Sequence, residues 1–169
     1  KLPPGTMLVA ENGPSKKVRY WKIAHRPDAS VPESEWPARI RETLEQSVVS
    51  QMISDVPLGA FLSGGIDSSA VVACMARNSS SPVKTYSIGF ESSTGGGYYN
   101  ELKYAKRIAD EFSTDHHEII VKPDVASLIP ELTWYLDEPV ADSAYITTYL
   151  VSKFARQDVT VILSGVGGD

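Results

Sequence analysis

A glycine turn between an apolar segment and a helix-forming segment constrains the fold of this chain more than any other feature. The apolar segment 58–62 runs directly into Ser63-Gly64-Gly65-Ile66-Asp67-Ser68-Ser69, and residues 70–76 are mostly apolar and good helix formers. This order predicts a strand, a tight turn and a helix that begins at the turn. Because backbone N–H groups and partial positive charge collect at a helix N-terminus, the expected guest of the turn is a phosphate.

The residue types in the turn refine this expectation. Gly64 and Gly65 allow the backbone to approach an anion closely. Hydroxyl donors stand at three positions around them: Ser63, Ser68 and Ser69. Asp67 is the exception, because a carboxylate repels a phosphate. Its presence is explained either by a Mg²⁺ between the two groups or by a simple helix-capping role.

The composition argues against several classes of function. The net charge is −5 and no basic run is present, so a nucleic-acid-binding surface is not expected. No apolar run is long enough to span a membrane. The single Cys74 cannot form an internal disulfide and lies among apolar helix formers, so it is expected to be a core residue of a cytoplasmic protein.

Beyond the turn, predicted strands and helices alternate along the chain. Strands are expected at 58–62, 83–89, 117–121 and 159–163, and helices at 34–53, 67–77, 101–112, 124–136 and 143–156. Strands separated by helices pair in parallel through right-handed crossovers, so the predicted fold class is α/β, a parallel sheet with helices on both faces. Two further runs, 6–10 and 18–23, flank an Asn-Gly turn and predict a short N-terminal β-hairpin.

Three glycine-bearing loops are expected at one edge of this sheet. They follow predicted strands and comprise residues 63–69, 89–100 and 164–169. Ligands of parallel α/β sheets bind at the carboxyl ends of the strands, and three such loops together favour a nucleotide site. The sequence lacks both the Gly-Lys-Ser/Thr of a Walker A loop and the G-x-G-x-x-G of dinucleotide-binding proteins.

Residues 63–68 match the S-G-G-x-D-S signature of the PP-loop ATP pyrophosphatases, and the chain resembles one group of them, the glutamine-dependent asparagine synthetase family. The other matching stretches follow in the order of the family: Ser87-Ile88-Gly89-Phe90, Asn100-Glu101, Thr114-Asp115-His116-His117-Glu118, Leu136-Asp137-Glu138-Pro139, Ala141-Asp142-Ser143, and Leu163-Ser164-Gly165 with Gly167-Gly168-Asp169. The resemblance covers nearly the whole chain and implies the adenine nucleotide α-hydrolase-like fold.

The resemblance implies an enzyme that uses ATP to adenylate the side-chain carboxylate of aspartate and releases pyrophosphate, after which glutamine-derived ammonia displaces AMP. It implies that residues 1–32 are the end of a glutaminase domain with its linker, and that residues 33–169 are the first part of the synthetase domain. The chain is therefore expected to be a fragment, inactive alone, of a cytoplasmic protein that is a homodimer when complete.

The resemblance also assigns site residues. ATP would be held by Leu62, Ser63, Gly64, Gly65, Asp67, Ser68, Ser69, Ile88, Ser164 and Gly165. In that set, Leu62 and Ile88 would flank the adenine, and the pair 164–165 would approach the ribose and the α-phosphate. Asp67 and Asp169 would hold Mg²⁺. The catalytic, substrate-side segment would contain Asp137, Glu138 and Asp142.

Val166 departs from the family pattern, because many members carry an acid there that helps amide formation. A valine cannot accept a proton from ammonia, so the acceptor carboxylate and the amine step stay open. The alternatives are another carboxylate-adenylating enzyme, such as a β-lactam synthetase-like protein or another amidotransferase, and a non-catalytic ATP-binding module.

Two segments also have plain structural explanations. Asp137-Glu138-Pro139 can be a helix-terminating turn, since acids before proline are common turn formers. His116 and His117 are adjacent on a predicted strand and point to opposite faces, so they are not expected to share a metal.

Overall fold

The computed structural model describes residues 1–91, 101–122, 124–137 and 140–167. The chain divides into two compact units, residues 1–37 and residues 38–169. In the described part of the chain, none of the helices has the length and hydropathy of a membrane-spanning segment.

The first unit contains an antiparallel hairpin of two four-residue strands, β1 (Thr6–Val9) and β2 (Lys16–Arg19). The second strand lies earlier than the predicted run 18–23 and ends at Arg19. The reason is local, because the N–H groups of Tyr20 and Trp21 both donate to the carbonyl of Gly5, at 2.9 and 3.2 Å. Gly5 has a φ of 63°, so the chain turns there and the ladder stops. A short 3₁₀ turn, Glu33–Glu35, follows.

The helices and strands that follow alternate as the sequence predicts. Their bounds are α1 (Trp36–Gln51), β3 (Leu58–Phe61), α2 (Ile66–Arg77), β4 (Lys84–Phe90), α3 (Leu102–Glu111), β5 (Asp115–Val121), α4 (Val125–Leu136), α5 (Ala144–Ala155) and β6 (Val161–Leu163). Strand β5 begins two residues before its predicted start, because Asp115 and His116 pair with Lys84 and Thr85 of β4.

The second unit is built on a four-stranded sheet with the order β5-β4-β3-β6. All three strand pairings are parallel. Strand β3, which leads into the glycine turn, is therefore central, between β4 and β6. Parallel neighbours place the carboxyl ends of all four strands at one edge, from which the predicted loop 63–69 and the start of the predicted loop 164–169 leave the sheet. Residues 92–100 and 168–169 of the predicted loops lie outside the described residues.

Helices cover both faces of the sheet, which confirms the predicted α/β class. Alternate residues of β3 and β6 belong to two different cores, because successive side chains of a strand point to opposite faces. Ala60 and Leu163 pack with the buried residues of α1, α2 and α3. Phe61 and Ile162 pack on the other face with Val151 of α5 and its neighbours.

Candidate functional site

A cavity of about 590 Å³ opens at the carboxyl edge of the sheet. Its walls come from the ends of β3, β4 and β6, from the N-terminal turns of α2 and α3, and from one side of α5. The cavity thus lies where the two helical layers meet the strand ends, at the position that the sequence predicts for a ligand.

The glycine turn between β3 and α2 is fixed by its contact with α3. Gly64 has a φ of 82°, a conformation that residues with a side chain rarely adopt. A Cβ at Gly64 would lie 2.6 Å from the backbone nitrogen of Ala105 and 2.6 Å from the carbonyl carbon of Tyr104. Both the backbone conformation and the space therefore require glycine, and they hold the turn against the first turns of α3.

The loop after β6 is pressed against the start of α2. A Cβ at Gly165 would lie 2.5 Å from the backbone nitrogen of Ser68 and 2.7 Å from the carbonyl carbon of Asp67. The absence of a side chain at Gly165 therefore allows the backbones of two loops from the same sheet edge to meet. This contact joins two of the three predicted glycine loops in one site.

Hydrogen bonds between serines shape the turn from within. The Ser63 N–H donates to Ser68 Oγ at 3.2 Å, and the two hydroxyl groups of Ser63 and Ser68 are 2.9 Å apart. The Gly65 N–H donates to Ser63 Oγ at 3.2 Å. These contacts preorganise the turn without a ligand, so that binding would require little rearrangement.

The N-terminus of α2 faces the cavity without a side-chain cap. Gly65 is the N-cap residue, and no capping side-chain hydrogen bond forms there within the described ranges. Asp67, an exposed residue of the first turn, lines the cavity and does not serve as the cap. The first N–H groups of a helix have no intrahelical partner, so this terminus offers donors and a positive dipole end to an anion.

Most of the predicted nucleotide-binding residues line the cavity: Leu62, Ser63, Gly65, Asp67, Ser68, Ile88, Ser164 and Gly165. Gly64 is outside this lining and acts through the contact with α3. Ser69 is also outside the lining, and its Oγ is buried with no hydrogen-bond partner among the residues that the structure describes.

Leu62 and Ile88, the predicted flanks of an adenine, differ in burial and lie on opposite faces of the sheet. The Leu62 side chain is 2% exposed and packs in the core beneath α1, α2 and α3. Its N–H donates to the carbonyl of Tyr86 at 3.0 Å, and its carbonyl accepts a hydrogen bond from Ser87 Oγ. Ile88 is half-buried and packs on the opposite face, beside α5. Ile88 therefore offers its side chain more freely than Leu62.

The structure places the described acids of the predicted substrate-side segment outside the cavity lining. Asp137 ends α4 with a left-handed φ of 61°, and its N–H donates to the Trp134 carbonyl at 3.4 Å. Asp142 accepts a hydrogen bond from the Ala144 N–H at 2.9 Å, just before α5. Both therefore have local structural roles. Glu138 and Asp169 lie outside the described residues.

Sequence reasoning missed two parts of the cavity wall. Glu101, the N-cap residue of α3, lines the cavity next to Leu102. One side of α5 also lines it, with the residues Ala144, Thr147, Thr148 and Val151. Their positions i, i+3, i+4 and i+7 lie on one side of a helix, and this stripe is visible in the sequence. It gave no signal for a site because a cavity wall and a buried core face share this periodicity.

The two adjacent histidines lie on opposite faces of β5. His116 Nδ1 is 2.8 Å from Thr85 Oγ1, and its Nε2 is 3.2 Å from Glu118 Oε1. Burial lowers the pKa of His116 from its ordinary value of 6.5, against the opposing effect of Glu118. His117 stacks on Tyr86 with ring centroids 5.3 Å apart. The two rings therefore do not converge on a metal.

Tyr86 also lines the cavity but keeps its proton. Its hydroxyl donates to Asp158 Oδ2 at 3.4 Å. Burial, together with the charge of Asp158, raises the pKa of Tyr86 to about 12. The Tyr86 hydroxyl is therefore neutral at ordinary pH and does not act as a base in the cavity.

Comparisons with known proteins show which family this chain resembles. The family model described as asparagine synthase matches residues 39–169. A protein of Methanocaldococcus jannaschii named "Putative asparagine synthetase (glutamine-hydrolyzing) 2" is 47% identical over 131 residues, which are 76% of this chain and 24% of that protein. Asparagine synthetase (glutamine-hydrolyzing) 1 of Bacillus subtilis is 34% identical over 171 residues, which are 100% of this chain and 26% of that protein. The chain thus spans about a quarter of the length of these relatives.

Proposed function

The chain belongs to the asparagine synthase family, and on that premise we propose that its cavity binds ATP in an enzyme that activates a carboxylate as an acyl adenylate. The observation that carries the proposal is the meeting of two glycine loops at the uncapped N-terminus of α2, where Gly165 touches the backbone of Asp67 and Ser68. This arrangement offers N–H groups, hydroxyl groups and a positive dipole end in one place, the chemistry that phosphates require.

The phosphates would lie against the turn 63–68, and the base would lie in the part of the cavity beside Ile88. Ser164 and Gly165 would contact the ribose and the α-phosphate between them. Ser69, which lies outside the cavity lining, would support the first turn of α2 from within. The hydrogen-bonded pair of Ser63 and Ser68 holds the turn in shape before ATP arrives.

The proposed reaction has two steps. A side-chain carboxylate oxygen of aspartate attacks the α-phosphorus of ATP, the bond from that phosphorus to the bridging oxygen breaks, and pyrophosphate leaves. Ammonia derived from glutamine then attacks the acyl carbon, loses a proton, and AMP leaves with the electron pair of the broken C–O bond. The N–H groups at the start of α2 would stabilise the charge that develops on the departing pyrophosphate.

Asp67 lines this end of the cavity and offers carboxylate oxygens, the kind of ligand that Mg²⁺ prefers. Among the described residues no three acidic, histidine or cysteine side chains gather as a metal site. Mg²⁺ commonly uses one or two carboxylates together with substrate phosphates and water, so Asp67 would hold it with Asp169 as the second ligand. A Mg²⁺ held there would supply positive charge against the phosphates, which would account for the carboxylate of Asp67 beside an anion site.

The substrate-side segment and the N-terminal unit complete the proposal. The acceptor carboxylate would be oriented by Asp137, Glu138 and Asp142, since their segment leads directly into α5, which lines the cavity.

Residues 1–32 would be the end of a glutaminase domain, and residues 33–169 the start of the synthetase domain. We place the reaction in the cytoplasm and expect the full-length protein to be a homodimer, which sedimentation analysis would test.

A second acceptor is favoured by one observation. Val166 lines the cavity and is 93% exposed, so an apolar side chain stands in the loop proposed to contact the ribose and the α-phosphate. A valine moves no proton in the amine step. A related enzyme that adenylates a different carboxylate, such as a β-lactam synthetase-like protein, is therefore the second candidate function.

Exchange of labelled pyrophosphate into ATP by the full-length protein distinguishes these functions. The exchange requires adenylation and measures it with each carboxylic acid in turn. We expect exchange with aspartate. Exchange with another acid and none with aspartate would exclude the asparagine assignment, and no exchange with any acid would favour a non-catalytic ATP-binding module.

A further inference from the structure

One side of α5 forms a wall of the cavity that the predicted site did not include. Ala144, Thr147, Thr148 and Val151 line the cavity, and Val151 is 5% exposed and packs with Tyr86 and Ile88. The part of the cavity beside α5 is therefore lined by apolar side chains at its deepest point, next to Val151. The phosphate-binding chemistry lies instead at the turn before α2.

Thr147 and Thr148 bring hydroxyl groups to this apolar part. A threonine in a helix commonly donates its hydroxyl to the carbonyl one turn earlier. Thr43 does so in α1, where its Oγ1 donates to the Arg39 carbonyl at 2.8 Å. The structure gives neither Thr147 nor Thr148 a side-chain hydrogen bond to any residue that it describes. Thr147 is half-buried and Thr148 is exposed, so both hydroxyl groups keep their donor and acceptor capacity for a ligand.

We propose that Thr147 and Thr148 hydrogen-bond the polar edge of the nucleobase and thereby determine base binding in this cavity; the proposal rests on the proposed function. A purine ring buries its faces against apolar side chains, which Ile88 and Val151 supply. Its ring nitrogens and exocyclic group need hydrogen bonds when they leave water, because an unpaired buried polar atom is unfavourable. In the α5 stripe, the two threonine hydroxyls are the side-chain groups that can meet this need.

The test compares ATP with inorganic pyrophosphate as ligands of the same protein. On the proposed function, pyrophosphate would occupy the turn before α2 without reaching α5, whereas ATP would reach both. In the double variant Thr147→Val, Thr148→Val, the shape is kept and both hydroxyl groups are lost. We expect the Kd for ATP to rise about tenfold, since each hydrogen bond contributes a factor of a few, and the Kd for pyrophosphate to stay unchanged. Thr43→Val, on α1, is the matched control and leaves both constants unchanged.

Two further variants make the result decisive. The double variant Thr147→Ser, Thr148→Ser keeps the hydroxyl groups and is expected to bind ATP like the unchanged chain. If the double valine variant does not fold, Thr148→Val alone decides, since this residue is exposed; its expected loss of ATP affinity is about threefold.

The outcomes separate the two proposals. Unchanged ATP binding by the valine variants, an equal loss for ATP and pyrophosphate, or the same loss in the serine variant would each overturn the role of the two hydroxyl groups. A chain that binds pyrophosphate and ATP with intact threonines supports the proposed function whatever the variants do. A full-length protein that binds neither ligand would overturn both proposals.

Discussion

At the scale of single residues, two glycines determine the shape of the site. Gly64 combines a φ of 82° with a close approach to the α3 backbone, and Gly165 lies against the backbone of the first turn of α2. From the residues alone, Gly64 and Gly65 were predicted to allow a close approach to phosphate, and Gly165 entered only through the family resemblance. The structure shows that Gly64 and Gly165 allow protein backbone to approach protein backbone, which assembles the walls of the cavity.

Replacement of Gly64 by alanine is expected to destabilise the second unit strongly. A left-handed φ disfavours a residue with a Cβ by about 1–2 kcal/mol, and forcing the Cβ against fixed backbone adds about 1–3 kcal/mol. We therefore expect the free energy of unfolding in urea to fall by about 3 kcal/mol in Gly64→Ala.

Gly167 offers the matched control for this substitution. It has a φ of 86°, and a Cβ there would meet nothing within 4 Å. The free energy of unfolding of Gly167→Ala should therefore fall only by the cost of the left-handed backbone conformation, about 1–2 kcal/mol. Equal losses in the two variants would show that the contact between the turn and α3 contributes nothing to stability.

Asp67 gives a prediction about charge at the site. If it holds Mg²⁺ beside the phosphates, Asp67→Asn should weaken ATP binding about tenfold when Mg²⁺ is present. Without Mg²⁺ the variant should bind ATP as well as the unchanged chain or better, because a carboxylate that repels phosphate has been removed. Calorimetric titration with and without Mg²⁺ measures both, and a loss of equal size in the two conditions would contradict the metal-binding role.

At the scale of elements, β5 is joined to β4 through a partly buried chain of polar side chains. Thr114 Oγ1 is 2.9 Å from Thr85 Oγ1, which is 2.8 Å from His116 Nδ1. The His116 side chain is 3% exposed and also meets Glu118. A neutral ring that donates from Nε2 to Glu118 and accepts at Nδ1 satisfies every group in this chain. The buried position favours that neutral form.

The stability of the second unit should therefore decrease as the pH falls below about 6.5. The lowered pKa of His116 means that the unfolded chain binds a proton before the folded chain does. The unfolded state then holds more protons between the folded pKa and 6.5, so the free energy of unfolding rises with pH across this window. The stabilising effect is complete above 6.5 and is lost below, with a slope of at most about 1.4 kcal/mol per pH unit.

Substitution isolates this contribution. His116→Gln should flatten the dependence of urea unfolding on pH between 5 and 7. His25, exposed in the first unit, is the control, and His25→Gln should leave the slope unchanged. The charged groups that act on His116 are Glu118, Lys106 and the neighbouring His117. A slope that survives in His116→Gln would assign the effect to another group.

The elements also show what could be predicted from sequence. Periodicity and the glycine turn predicted each strand and helix of the second unit, because local patterns determine strand, turn and helix. The start of β5 at Asp115 was not predicted, because Asp115 and His116 are polar and become part of the strand only through pairing with β4. The cavity wall formed by α5 was not predicted either, because no local sequence pattern distinguishes a helix face that lines a cavity from one that packs in a core.

At the scale of the whole molecule, the second unit is a central sheet with a core on each face. Val72, fully buried on α2, belongs to one core, and Val159, 2% exposed before β6, belongs to the other. The cavity lies at the edge where both layers contribute walls. The site is therefore intact only when both cores are formed, which the order of residues along the chain did not reveal.

Both cores are accordingly expected to unfold in one transition. Val72→Ala and Val159→Ala should each lower the free energy of unfolding by about 1.5–3 kcal/mol, because each removes buried methyl groups. Val161→Ala is the control, because this strand residue is 37% exposed. Its substitution should lower the free energy of unfolding by well under half as much. Circular dichroism and amide exchange in α2 and α5 should report the same midpoint in each variant. Two separated midpoints in Val159→Ala, with α5 opening first, would show that the layer carrying Thr147 and Thr148 unfolds independently of the layer that holds the glycine turn.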